Sequence, residues 1–324
     1  MRTEPPDLDR AALARLVERE WSFRAASLEY LPVGFGSHHW KASDPVGARR
    51  FVTADRLTNS RAGTEPAAAF AGFERAFRTA AVLRDSAGLE FVVGPLADRT
   101  GGFTHRLGDH AVTLFPFLSA ESSDGDPSAG DQTRILGLLG RLHAATETLP
   151  PDLAPLEDFD IPHRQTLAEA LGDLDRPWTA GPLGEPARAQ LRCSAETVAR
   201  RLDAYDELAS LVRRTSESWV VTHGEPHSGN VLRDDGGGLS LVDWDTVKVG
   251  PRERDLWIVL DPDASGWSDY LSTAGPCALD DRALHLYRSR WNLADIAEFV
   301  NVFRHAHEET ADTVAALGYL ESSV

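Results

Sequence analysis

Residues 219–257 read WVVTHGEPHSGNVLRDDGGGLSLVDWDTVKVGPRERDLW, and the rest of the chain is read outward from them. The apolar run Trp219–Val221 predicts a buried strand that delivers His223, Gly224 and Glu225 to a loop. Val231 and Leu232 begin a second strand, which turns at Asp234–Gly238 and returns as Leu239–Val242, a β-hairpin. This hairpin brings Asn230 and Asp243 to its open end, opposite or nearly opposite, on the order of 5 Å apart. An amide oxygen and a carboxylate so placed can share a cation. Mg²⁺ takes one or two protein oxygens at about 2.0–2.1 Å and leaves its other positions to water and phosphate. Glu225 precedes Asn230 in the loop entering the hairpin, where a carboxylate can accept a proton from a substrate hydroxyl.

His223-Gly224-Glu225-Pro226-His227-Ser228-Gly229-Asn230 resembles the His-Gly-Asp-x-x-x-x-Asn motif of the aminoglycoside phosphotransferase family of small-molecule kinases. Val242-Asp243-Trp244-Asp245 resembles that family's Ile-Asp-Trp-Asp, and Glu253-Arg254-Asp255-Leu256 is similar to a segment of its spectinomycin-phosphotransferase branch. The resemblance implies an α+β, bilobal protein-kinase-like fold. A small N-terminal lobe, residues 1–118, is expected to carry an antiparallel sheet and one helix and to bind the nucleotide. A larger, mostly helical C-terminal lobe, residues 119–324, is expected to carry catalysis and substrate binding. The resemblance further implies ATP or GTP with Mg²⁺ as cofactors, Asn230 and Asp243 as metal ligands, and Glu225 as the base where the family has Asp. His223 and Asp255 are expected to brace the catalytic loop. Aminoglycoside and aminocyclitol antibiotics are the implied acceptors, and antibiotic resistance the implied role.

The chain has 324 residues, 42% of them hydrophobic, enough for a sizeable core. Fifty acidic residues against 33 basic ones give a formal net charge of −17. That surface repels nucleic acid and anionic membranes and attracts cationic ligands. Cys193 and Cys277 are the two cysteines, which excludes a disulfide framework or a cysteine-based zinc site. Neither a signal pattern nor a long apolar run is seen, so a cytoplasmic protein is expected, monomeric or homodimeric. Lysine occurs at positions 41 and 248, neither flanked as a P-loop requires.

Residues 9–21 have the period of an amphipathic helix with Asp9 as N-cap. Leu28–Val33, Trp40–Ala42, Arg50–Thr53, Leu89–Val93 and His110–Leu114 read as five strands. Between the first two, Gly34-Phe35-Gly36-Ser37 is placed to let backbone amides approach phosphates, with Gly34, Gly36 and Ser37 as nucleotide-binding candidates. Kinases carry a lysine on the third strand, but the matching position here is Thr53; Lys41 on the neighbouring strand is the candidate replacement. The helix expected over Glu65–Arg84 offers Glu74 to pair with that cation. Phe115 and Phe117 begin the segment at about 115–130 that reads as a hinge and places backbone groups near an adenine edge.

Residues 131–145 predict a core helix carrying His143 in a structural role. A short helix near Gln165–Leu171 and a long one over Glu185–Arg214 should follow. After Asp255 the expected helices lie near Ala283–Trp291, Leu293–Glu308 and Asp312–Leu317. Asp245, Trp267, Glu308 and Glu309 are the candidate contacts for a cationic acceptor. A sugar, amino alcohol or biosynthetic intermediate is the alternative acceptor. Thr53 and Glu225 also raise a different reading, a catalytically weak kinase-fold protein that binds nucleotide or ligand for regulation or sequestration.

Overall fold

The computed structural model describes residues 1–34, 36–58, 65–122, 128–261 and 266–324. Phe35 and residues 123–127 of the expected hinge lie outside these. Two compact units are present, Met1–Glu157 with Trp219–Ala278, and Asp158–Ser218 with Leu279–Val324.

In the first unit, α1 (Arg10–Trp21) starts at Asp9, whose carboxylate accepts the backbone N–H groups of Ala11 and Ala12. A five-stranded antiparallel sheet follows. It comprises β1 (Ser27–Leu31), β2 (Ser37–Ser43), β3 (Arg49–Arg56), β4 (Thr104–Leu107) and β5 (His110–Pro116), in the order β1-β2-β3-β5-β4. Helix α2 (Pro66–Asp85) lies between β3 and β4 in sequence.

Alternation along the strands gives each face its own core. Trp40, Ala42, Val52, Ala54, Val112 and Leu114 pack with Leu13, Leu16 and Val17 of α1. Ala111 and Phe115 pack with Phe73, Phe77 and Ala81 of α2, and Phe51 and Phe70 pack against that cluster. Each large side chain so buried contributes roughly 1.5–3 kcal/mol. The α2 face of the sheet also carries Ser37, His39, Lys41, Thr53 and Asp55.

The fifth strand is not the one expected from sequence. Leu89–Val93 makes a single parallel bridge, Val92 to Leu241, with Leu241 N–H donating to the Phe91 carbonyl and Val93 N–H to the Leu241 carbonyl. A short run with four buried apolar residues around one exposed one, Glu90, is too brief for its period to separate strand from buried connection. It docks on the hairpin, and Thr104–Leu107 takes the sheet edge.

The chain continues through β6 (Ala120–Ser122) and α3 (Ala129–Ala144). In the second unit, α4 (Arg164–Gly172) and α5 (Gly184–Val212) match the two helices expected there. Returning to the first unit, β7 (Val220–Thr222), β8 (Val231–Asp234), β9 (Leu239–Leu241) and β10 (Lys248–Gly250) are followed by α6 (Glu253–Val259) and α7 (Trp267–Ala274). The second unit closes with α8 (Asp281–Arg304) and α9 (Ala311–Ser323).

The break expected between Trp291 and Leu293 is absent. The intervening Asn292 does not interrupt the backbone ladder, and its side chain donates to the Ser323 carbonyl at 2.9 Å. Tyr205 of α5 donates to the Phe159 carbonyl at 2.8 Å, and the Arg304 guanidinium of α8 meets both oxygens of Asp173 at 3.0 Å. Among the described residues no helix is long and apolar enough to cross a membrane.

Candidate active site

Hairpin β8–β9 forms as the turn chemistry requires, with Val231 opposite Leu241 and Arg233 opposite Leu239. Val242 N–H then donates to the Asn230 carbonyl at 3.0 Å, so Asn230 lies across from Val242, the residue before Asp243, at the open end. Asn230 is buried and Asp243 is exposed. The backbone of Asp243 is left-handed, with φ of 67°. Aspartate tolerates this conformation better than most residues, and at that point the chain leaves the hairpin.

The side-chain amide of Asn230 is oriented by its neighbours. Its Nδ2 donates to the Glu225 carbonyl at 2.9 Å, and the Nε2 of His227 is 3.3 Å away. With Nδ2 so engaged, Oδ1 is the amide atom that can ligate a cation. An amide oxygen and a carboxylate together suit Mg²⁺. No group of three or more His, Cys, Asp or Glu able to hold a metal occurs among the described residues.

His223 couples the base loop to the metal loop. Its ring is fully buried and meets Trp244 edge-on at 4.6 Å. Nδ1 accepts the N–H of Glu225 at 3.2 Å, and Nε2 donates to the Val242 carbonyl at 2.8 Å. Burial lowers its pKa despite the nearby Asp255 carboxylate, so the ring is neutral and its tautomer is fixed by these two bonds. One imidazole thus spans from the backbone of Glu225 to the residue before Asp243.

Beneath it, Asp255 is fully buried and accepts three bonds. His223 N–H and Gly224 N–H donate at 2.8 and 2.6 Å, and the Nε2 of His143 lies at 3.0 Å. The other ring nitrogen of His143 meets the Tyr270 hydroxyl at 2.7 Å. Burial by itself raises the pKa of Asp255, but His143, His223 and Arg254 outweigh it and hold the carboxyl below its usual range.

Arg254 closes the other side. It donates to the Thr222 hydroxyl at 2.9 Å and the Thr246 carbonyl at 2.7 Å, and its Nε lies 2.9 Å from the buried Glu157 carboxylate. Gly224 faces this guanidinium with φ of 106°, and a Cβ there would sit 2.4 Å from Nη1. Gly224→Ala is therefore expected to lower stability by at least about 1–3 kcal/mol, measured by urea unfolding, because it combines backbone strain with displacement of a buried charge.

The nucleotide-binding candidates lie on the α2 face of the sheet or at its ends. Gly34 and Gly36 both have positive φ, 68° and 95°. Ser37 donates its hydroxyl to Asp55, whose pKa burial pushes up to about 6. Lys41 is opposite Phe51, not Thr53, and forms its ion pair with Glu29. Glu74 accepts the N–H groups of Phe103 and Thr104, both at 3.0 Å, and pairs with Arg78 at 2.7 Å. The structure therefore does not bring Lys41 and Glu74 together. Phe115 is buried edge-on against Phe77 at 5.5 Å, and Phe117 lies under the Arg49 guanidinium at 4.8 Å.

Of the acceptor candidates, Asp245 is half-buried just past Trp244. The ring of Trp267 stacks on Tyr270 at 4.9 Å. Glu308 and Glu309 are exposed in the loop between α8 and α9 of the second unit. Sequence reasoning missed the contacts made by Glu157 and His143. His143 and Asp255 are 112 residues apart, and no local pattern joins them.

Residues 64–271 match the phosphotransferase enzyme family. Protein StrN of Streptomyces griseus is 29% identical over 251 residues, covering 74% of this chain and 73% of that protein. Stress response kinase A of Salmonella choleraesuis is 29% identical over 180 residues, and the chain spans 47% of that relative's length. Among solved structures, spectinomycin phosphotransferase APH(9)-Ia in complex with ADP and spectinomycin is similar with a TM-score of 0.74 and 14% identity. The match covers 98% of this chain and 94% of that one. An amicoumacin kinase in complex with AMP-PNP and Ca²⁺ follows with a TM-score of 0.59, also at 14% identity, covering 97% and 92%. At such identity these structures establish the fold, the α+β protein-kinase-like class expected from the motifs. With the family matched over most of its length, the chain belongs to the phosphotransferase enzyme family.

Proposed function

We propose that this protein transfers the γ-phosphoryl group of ATP or GTP to a hydroxyl of a small cationic or polyol molecule, of the aminoglycoside or aminocyclitol type. The observation that carries this reading is the shared support of Glu225, Asn230 and Asp243. Asn230 holds the carbonyl of Glu225, while His223 ties the Glu225 N–H to the carbonyl before Asp243. Base and metal ligands are thus fixed on one frame, as phosphoryl transfer by positioning requires.

In this reading Glu225 accepts the proton of the acceptor hydroxyl as its oxygen attacks the γ-phosphorus. Asn230 Oδ1 and Asp243 hold Mg²⁺, which supplies positive charge to the phosphate oxygens when bound. The backbone near Gly34 and Gly36 covers the phosphates, and the end of β5 at Phe115 and Phe117 lines the base. The division at about residues 115–130 is then a functional one, falling inside the first compact unit. The net charge of −17 favours a cationic acceptor.

Acceptor-stimulated release of nucleoside diphosphate, measured over a panel of aminocyclitols, aminoglycosides, amino alcohols and sugars, tests the proposal. Stimulation by at least one class is expected; nucleotide binding with no stimulation by any would favour the regulatory reading that Thr53 suggests. With an acceptor in hand, Glu225→Gln should lower kcat by roughly 10²–10⁴-fold with nucleotide affinity unchanged. An unchanged kcat removes Glu225 from the base role.

A further inference from the structure

The nucleotide reading leaves one position unfilled. Kinases steady the α- and β-phosphates with a lysine on the third strand, and Thr53 stands there instead. Lys41 does not supply the loss, because it is opposite Phe51 and paired with Glu29. The residue directly across from Thr53 on β2 is His39. Side chains so paired project from the same face with their Cβ atoms about 4.5–5.5 Å apart.

Three further observations single out this imidazole. Its Nε2 is at the glycine loop, 3.4 Å from where a Cβ on Gly34 would be. Its ring stacks on Phe51 at 5.0 Å and 28°, which fixes the plane. Its Nδ1 is buried and has no hydrogen-bond partner among the described residues, an arrangement that calls for a partner from outside the chain. Ser37 and Asp55, the next pair along the same face, satisfy each other and offer no such opening.

We infer that His39 makes the phosphate contact that a third-strand lysine makes in kinases, donating a ring N–H from the second strand to the α- or β-phosphate of the bound nucleotide. Burial, together with the Met1 amino group and His38, pushes its pKa down to about 3, so the ring is neutral at pH 7 and the contact is a hydrogen bond, not an ion pair. The inference rests on the nucleotide reading above and deepens it by naming the residue that replaces the missing cation.

The test compares nucleoside with nucleoside diphosphate. Calorimetric affinities of the whole chain are measured for adenosine and Mg-ADP, and for guanosine and Mg-GDP, in the wild type, His39→Ala and His39→Lys. Loss of one donor to a charged phosphate should weaken the diphosphate roughly 10- to 100-fold and leave the nucleoside within about twofold. His39→Lys should bind the diphosphate at least as tightly as the wild type. His39→Asn, which cannot reach as far, replaces the alanine variant should that one fail to fold. Equal losses for nucleoside and diphosphate would mark His39 as merely structural, and no loss for either would leave it without a role; each overturns this inference alone. A wild type that binds neither diphosphate overturns the nucleotide reading and this inference with it.

Discussion

Asp243→Asn is expected to lower turnover on the order of 10³-fold or more, since several kcal/mol of charge stabilisation at the phosphates depends on this carboxylate. The substitution isolates charge from shape. Asparagine has the same size and, like aspartate, accepts the left-handed backbone that φ of 67° imposes, so the exit from the hairpin is preserved. The variant should melt within a few degrees of the wild type and bind nucleotide without Mg²⁺ as the wild type does. Its remaining turnover should require far more Mg²⁺. Activity within about tenfold of the wild type would remove Asp243 from the metal site.

The second large effect is on stability. Asp255→Ala removes the acceptor for His223 N–H, Gly224 N–H and His143 Nε2 together, at a fully buried position. Stranding these donors should cost about 3–5 kcal/mol in urea unfolding at pH 7, a large part of the 5–15 kcal/mol typical of a folded domain. The pH dependence has a definite sign. The folded pKa of Asp255 is depressed, so its contribution is complete above the unfolded value of about 3.9 and is lost as pH falls through the folded value. The wild type should therefore lose stability on acidification below about pH 4, and Asp255→Asn should flatten that limb. A loss under about 1 kcal/mol in Asp255→Ala would show that the catalytic loop stands without this brace.

What could be read in the sequence was what is local. The hairpin announced itself because its turn, Asp234–Gly238, and its two apolar strands lie within a dozen residues, and turn chemistry sets register over that distance. Helices with a clear 3.6-residue period, α1, α2 and α5, were legible for the same reason. The β2–β3 register follows from the turn in the same way: Ser43 opposite Arg49 sets Lys41 opposite Phe51 and His39 opposite Thr53.

The failures are of another kind. Leu89–Val93 has an apolar pattern without a partner in view, and its partner is the hairpin strand more than a hundred residues later. The structural role expected of His143 holds, but the acid it meets lies on α6, beyond any local pattern. Glu74 had the position expected of a cation's partner, yet its carboxylate satisfies the N–H groups that open β4, a strand not expected there. In each case a contact between distant segments decided the role.

In the proposed function Glu225, Asn230 and Asp243, held on one frame by His223 and Asp255, transfer phosphate to a small hydroxyl acceptor. Its most direct test is the product itself: the acceptor recovered from a reaction with Mg-nucleotide, examined by ³¹P spectroscopy alongside the nucleoside diphosphate formed. A phosphate monoester on a hydroxyl of the acceptor is expected, formed one for one with diphosphate by the wild type and not detectably by Asp243→Asn. Diphosphate formed with free inorganic phosphate and an unmodified acceptor would contradict it.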